Sequence, residues 1–111
     1  MTTIETSIQR KRRISIIESI EEVIDVPREY WEIFRTKQQT EAMIRKIYIY
    51  LLNKYGDYNQ LKIAQLCGLK NHTTILRTIR EVDDWLSKPN EFTYQVEIIN
   101  NVIKSYEQRN S

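Results

Sequence analysis

Apolar residues recur every three or four positions along most of this chain, which is the spacing of one buried face on an α-helix. The pattern predicts a short helix beginning at Pro27 and longer helices over residues 14–25, 41–55, 60–66, 72–86 and 91–106. Only two Gly and two Pro occur among the 111 residues, too few for a loop-rich or all-β chain. We therefore expect an all-α fold, a compact multi-helix domain.

Particular residue types mark the ends of these predicted helices. Pro27 disfavours helical geometry in the residue before it and so ends the first helix. Thr40 and Asn71 belong to the types that cap helix N-termini, and Gly56 can supply the left-handed residue that ends the helix before it. Residues 35–40 contain no apolar side chain, so we expect them to form a surface loop.

Residues 1–13 show no helical period and end in the basic run Arg10-Lys11-Arg12-Arg13. We expect a flexible basic N-terminal arm over 1–13 and one folded domain over 14–111. The arm allows two interpretations: a disordered, solvated tail, or an arm that follows phosphates or enters a minor groove. Neither composition nor spacing decides between them.

The net charge of +2 is unevenly distributed along the chain. Residues 35–80 carry nine Lys or Arg against only Glu41 and Asp57, whereas residues 14–34 carry six acids against Arg28 alone. A basic middle beside acidic flanks suits a polyanionic partner.

The chain offers no set of residues for catalysis, metal binding or membrane insertion. Cys67 and His72 are the only residues of their types, so we expect no disulfide, no metal site, no cofactor and no enzymatic activity. We interpret Cys67 as a small buried apolar residue. No run of about eighteen apolar residues is present, and residues 1–13 lack the apolar segment of a secretion signal, so we expect a cytoplasmic protein.

The predicted helices over 60–66 and 72–86 are joined by a tight turn that contains Gly68. In the second helix the apolar stripe faces inward, with Ile75, Ile79, Val82 and Leu86 as its members. The opposite face carries four polar or basic residues, Thr73, Arg77, Thr78 and Arg80. Two helices joined in this way, the second basic on its outer face, form the helix-turn-helix pattern of DNA-binding proteins.

The segment Asn71-His72-Thr73-Thr74-Ile75-Leu76, which follows Gly68 and Lys70, closely resembles a family signature. That signature, Gly-Gly-Arg-Asp-His-Thr-Thr-Val-Leu, belongs to the DNA-binding C-terminal domain (domain IV) of the bacterial replication initiator DnaA. The segment from Ala42 to Leu52, with its Arg45, is also similar to the family's Ala-Arg-x-x-Ala-x-Tyr-Leu segment. The likeness extends over roughly residues 14–106, and it implies a helix-turn-helix like that of this domain and of the Trp repressor.

The resemblance implies a role in double-stranded DNA binding for specific residues. Asn71, His72 and Thr73 would contact base edges, and Lys70 and Thr74 would contact a phosphate or a thymine methyl group. Lys37 falls near the place of the family's minor-groove arginine. The residue types fit these roles, because Asn can pair bidentately with adenine and Thr offers both a hydroxyl and a methyl group. The expected phosphate contacts are Lys37, Arg45, Lys70, Arg77 and Arg80.

The chain departs from the family pattern at three positions in the expected interface. Asn71 replaces an Asp, Leu69 replaces the second Gly of the turn, and Lys37 replaces an Arg. The exchange at Asn71 adds hydrogen-bond donors, so we expect a shifted base preference with non-specific affinity retained. With Gly only at 56 and 68, these residues also lack the P-loop of the initiator's ATPase module.

The sequence therefore predicts sequence-specific binding of double-stranded DNA through a DnaA-like helix-turn-helix, without ATPase activity. The expected role is control of replication initiation or regulation of transcription, as in an accessory protein of a phage or mobile element. The alternative is a protein-interaction module that binds a replication or transcription partner through the acidic helix over 14–25. No heptad pattern indicates how the chain would dimerise, so its oligomeric state stays open.

Overall fold

A computed structural model describes residues 4–33 and 39–110 of the chain. Over these ranges the chain forms α-helices, one short 3₁₀ turn at Arg28–Tyr30 and no strand, which confirms the all-α class. The helices are α1 (Ser7–Val23), α2 (Gln39–Lys54), α3 (Gln60–Leu66), α4 (Thr73–Ser87) and α5 (Thr93–Arg109). The bounds of α3 are those predicted, and the other helices begin or end within a few residues of the prediction except at the start of α1.

Helix α1 begins at Ser7, so the prediction of a flexible arm is wrong for residues 7–13. Thr6 and Gln9 form a capping box, in which the Gln9 backbone amide donates to Thr6 Oγ1 at 3.1 Å and the Thr6 amide donates to Gln9 Oε1 at 3.0 Å. This reciprocal pair satisfies two backbone groups that a helix start otherwise leaves open. The basic run therefore lies on the first turns of a helix.

The hydrophobic core lies between α1, α2, α4 and α5, with α3 packed against α2 and α4. Its fully buried side chains include Ile16 and Ile20 of α1, Ile44 and Ile47 of α2, Ile63 of α3, Ile75 and Val82 of α4, and Ile99 and Val102 of α5. Each buried aliphatic side chain of this size contributes about 1.5–3 kcal/mol. Cys67 is also fully buried, as predicted.

The helix ends around α2 differ from the prediction. Thr40 is the second residue of α2 and cannot be its N-cap. Asp57, at φ 61°, takes the left-handed conformation expected of Gly56. Gly56 is instead required for space, because a Cβ atom there would lie 2.8 Å from the carbonyl oxygen of Leu52. A short Asp can occupy the left-handed region at modest cost, so the sequence pattern alone did not single it out.

Helices α2 and α4 pack side by side in opposite directions. Lys46 of α2 forms a 2.9 Å ion pair with Glu81 of α4, which joins the two helices near their middles. Asn53, near the end of α2, lines one groove together with His72 at the start of α4. Among the described residues, none of the helices combines the length and the hydropathy that a membrane span needs.

Candidate nucleic-acid interface

The connection between α3 and α4 is a Schellman motif, which ends α3 and reverses the chain. Gly68 has φ +78°, and its amide donates to the carbonyl of Gln65 at 3.2 Å while the Leu69 amide donates to that of Ala64 at 2.8 Å. These are the two backbone bonds of that motif, which needs a left-handed residue at the position of Gly68. The Leu69 side chain is half-buried and packs against the core, as the residue after this Gly commonly does.

The departure from the family pattern at Leu69 therefore has a structural explanation. Only Gly68 takes a positive φ in this turn, so Leu69 adopts ordinary backbone geometry. A Cβ atom on Gly68 would also come within 3.2 Å of Ile33 Cγ2, which leaves little space beside it. The turn thus requires one glycine and uses the next side chain as an apolar anchor.

The start of α4 differs by one residue from the prediction that Asn71 is its N-cap. His72 occupies the N-cap position, and its carbonyl accepts the first helical bond from the Leu76 amide at 3.0 Å. Its side chain makes no capping hydrogen bond. Asn71 Oδ1 instead accepts a 3.1 Å bond from the Thr73 amide, so Asn71 satisfies a helix-start donor from one position earlier. The imidazole of His72 is exposed and projects at the helix start.

Most of the sequence-predicted site residues lie on one exposed strip that runs from the turn along α4. The exposed members are Lys70, Asn71, His72, Thr73, Arg77 and Arg80, and Thr74 is half-buried beside them. The buried stripe of α4 includes Ile75 and Val82 on the opposite side. Thr78, which the sequence placed on the outer face, is only 5% exposed, so that placement is wrong.

The basic side chains of α4 are not neutralised within the domain. Among the described residues, neither Arg77 nor Arg80 forms an ion pair or a hydrogen bond through its side chain. Lys46, by contrast, is paired with Glu81 and lies 6.0 Å from the ring centroid of Trp85. The uncompensated positive charge of this region therefore lies on the outer face of α4.

Arg45 does not lie where the sequence placed it. It is 3% exposed, which is incompatible with the phosphate contact predicted for it. Burial lowers the pKa of its guanidinium, although the nearby Cys67 and Glu41 act in the opposite direction. The helical period marks Arg45 as lying off the main apolar stripe of α2. It does not show that the α3–α4 connection, which contains Cys67, lies close to this flank.

A groove lies beside the exposed strip of α4. It has a volume of about 620 Å³ and lies between His72 and the first turn of α3, lined also by Asn53, Asn59, Gln60 and Leu61. Among these lining residues, only Asn59 carries a local sequence signal, because Asn commonly caps helix N-termini. Its Oδ1 accepts a 2.8 Å bond from the Lys62 amide at the start of α3. Lys37, the expected minor-groove residue, lies outside the described residues.

No known protein family and no solved structure matches this chain. The resemblance to the initiator's DNA-binding domain therefore depends on the residues of the motif and on the order of the helices.

Proposed function

We propose that this protein binds double-stranded DNA sequence-specifically, with α3, the turn over 67–72 and α4 acting as a helix-turn-helix. The observation that supports this proposal most directly is the exposed strip from Lys70 to Arg80. At the start of a helix it carries residue types that can hydrogen-bond to base edges, and one and two turns later it carries unpaired cations. A duplex offers base edges and phosphates at matching positions when a helix start enters the major groove.

The base contacts in this proposal come from Asn71, His72 and Thr73. Asn71 uses one lone pair of Oδ1 to hold the Thr73 amide, which leaves its amide N–H groups available to DNA. Those donors suit acceptors such as N7 of a purine or O4 of thymine. A carboxylate at this position would accept from cytosine N4 instead. The base preference should therefore differ from that of a protein with Asp here.

The phosphate contacts come from Lys70, Arg77 and Arg80. Their charges are exposed and, among the described residues, unpaired, so each can replace a counterion at a phosphate without first breaking an ion pair. These contacts orient the protein on the duplex but carry no sequence information. Arg45 has no part in this set, because it is buried.

The role in the cell follows from the motif and from what these residues lack. We propose control of replication initiation or of transcription, through competition for the sites that an initiator occupies. The chain cannot form a P-loop with Gly only at 56 and 68, so it would act by occupying DNA and not by ATP-driven melting.

The alternative of an acidic protein-docking helix over 14–25 is less well supported. Glu22 accepts bonds from Ser105 Oγ at 2.5 Å and Arg109 Nη2 at 3.0 Å, which attach α5 to α1. Glu21 accepts a 3.2 Å bond from the Arg28 amide after the end of α1. Two of the acidic side chains of this helix therefore already make hydrogen bonds within the domain, which a partner would have to compete with.

The experiment that tests the proposal begins with selection of duplexes from a random-sequence library. Fluorescence anisotropy across a salt series then compares the selected duplex, an initiator-type box and a scrambled duplex. Specific binding should exceed binding to the scrambled duplex by about 10³-fold or more. Equal, salt-steep affinity for all three would contradict sequence specificity, and absence of binding at low salt would contradict DNA binding altogether.

A further inference from the structure

We infer that the first two turns of α1 form a second phosphate-binding surface, carried by Arg10 and Lys11, which extends the DNA contact beyond α3 and α4. The inference rests on the proposed function. It assigns a role to the basic run that the sequence left open.

Three of the four basic residues of α1 divide into two groups by their contacts, and the fourth, Arg12, is half-buried. Arg13 faces the protein, where its Nε lies 2.7 Å from Glu5 Oε2 and its Nη1 lies 3.7 Å from Glu32 Oε1. Arg10 and Lys11 are exposed and, within the described part of the chain, form no ion pair or side-chain hydrogen bond. Their charges are thus available to an external polyanion.

The start of α1 is attached to the segment that leads into α3. Gln9 Nε2 donates a 2.8 Å bond to the carbonyl of Asp57, and the hydroxyl of Tyr58 donates to the carboxylate of Glu5. Asn59, one residue later, caps α3 and lines the groove whose other wall includes His72. The start of α1 and the start of α4 therefore both lie next to the segment that joins α2 to α3.

The helical state of this segment decides which DNA contact it can make. An α-helix with its side chains is about 10–12 Å wide. The minor groove of B-DNA is only about 6 Å wide, so this capped helix cannot enter it as a flexible arm would. The major groove is wide enough for a helix, but the proposed function assigns it to α4, so α1 is left with the phosphates at the edge of the duplex. Because the capping box already orders these turns, binding does not incur the entropic cost of folding a disordered arm.

The test compares two variants that each remove two exposed positive charges. Arg10→Gln/Lys11→Gln alters the inferred surface, and Lys88→Gln/Lys104→Gln is a control that removes two exposed charges elsewhere, one of them, Lys88, paired with Asp84 at 3.2 Å. Binding is measured across a salt series on a duplex that extends well beyond the preferred sequence on both sides. The first variant should reduce the slope of log affinity against log salt by about 2, and the control by clearly less. The ratio of specific to non-specific affinity should stay unchanged.

An unchanged slope for Arg10→Gln/Lys11→Gln, in a protein whose Arg77→Ala variant does lose slope, would overturn this inference and leave the proposed function intact. If the unaltered protein binds no duplex, this inference and the proposed function fail together.

DNA cleavage directed from a labelled residue of α1 gives an independent test of its position. Lys11→Cys is labelled with a DNA-cleaving reagent, while the native Cys67 stays unlabelled because it is fully buried and burial raises the pKa of its thiol to about 12. Cleavage should map to the backbone flanking the preferred sequence. Cleavage no stronger than from a labelled Lys104→Cys control would also overturn the inference.

Discussion

The side-chain carbonyl oxygen of Asn71 accepts a 3.1 Å hydrogen bond from the backbone amide of Thr73, so one residue both supports the start of α4 and faces the proposed DNA. Substitutions can separate these two roles. Asn71→Ala should lower the free energy of unfolding by about 0.5–2 kcal/mol, the usual effect of losing a helix-start acceptor.

Asn71→Asp should keep that acceptor and the stability of the domain, since a carboxylate is favoured near a helix start. It should nevertheless weaken DNA binding, because it removes the amide donors and places a negative charge beside phosphates. Urea unfolding and anisotropy on the same samples measure the two effects. Undiminished affinity of Asn71→Asp would show that the amide donors do not contact DNA.

His72→Ala tests base contact at the N-cap position. The imidazole makes no capping bond, so its removal should leave stability nearly unchanged. Specific binding should fall by about 1–3 kcal/mol, while binding to the scrambled duplex stays close to that of the unaltered protein. Anisotropy on the preferred and scrambled duplexes measures both quantities. Equal losses on the two duplexes would exclude a base-contacting role for His72.

Arg77→Ala tests phosphate contact along α4. Loss of one exposed, unpaired cation should weaken binding to every duplex alike and reduce the salt slope by about 1. Lys104→Ala, which removes one exposed charge from α5, serves as the matched control and should leave the slope nearly unchanged. The same slope for Arg77→Ala and the unaltered protein would remove Arg77 from the set of phosphate contacts.

The parts of this structure that the sequence predicts are those set by local, periodic signals. Helix α3 has the predicted bounds because Asn59 caps its start and Gly68 ends it, two signals that act within a few residues. The exposed strip of α4 follows in the same way from one strongly amphipathic helix. Such local signals also place Lys70, His72 and Arg77 at the surface.

Two features that the sequence missed depend wholly or partly on contacts between distant segments. Arg45 lies off the main apolar stripe of its own helix, but it is buried near Cys67, twenty-two residues further along the chain. Residues 7–13 lack a strong apolar stripe, and their helix is stabilised by the capping box and by the bond from Gln9 to Asp57. The capping box can be recognised from the local sequence. The bond from Gln9 to Asp57 cannot, because it joins residues forty-eight positions apart.

Leu69→Gly would restore the glycine that the family pattern has at this position, and it should destabilise the domain. The side chain of Leu69 packs on the core, and the turn needs left-handed geometry only at Gly68. We expect the free energy of unfolding to fall by about 1–3 kcal/mol, from lost burial together with the greater chain entropy of glycine. Leu69→Ala separates the two causes, because it loses most of the burial without the added backbone freedom. A stability equal to or above that of the unaltered protein would contradict the anchoring role of Leu69.

Glu5→Gln tests the contact that attaches the N-terminal segment to the domain. Hydrogen bonding from Arg13 lowers the pKa of the Glu5 carboxyl below its ordinary value of 4.5, although partial burial acts in the opposite direction. A lowered pKa means that the ionised form stabilises the fold. This stabilisation is complete above pH 4.5 and is lost as the pH falls through the lowered pKa of the folded state. Glu5→Gln should therefore be less stable than the unaltered protein at neutral pH, and the difference should shrink steadily below pH 4.5. Urea unfolding at a series of pH values measures this difference.

Glu18→Gln, on the exposed face of the same helix, is the control: it removes one carboxylate as Glu5→Gln does and should change stability by no more than about 0.5 kcal/mol at any pH. A difference for Glu5→Gln that stayed constant with pH would mean that its ion pair with Arg13 contributes nothing to stability.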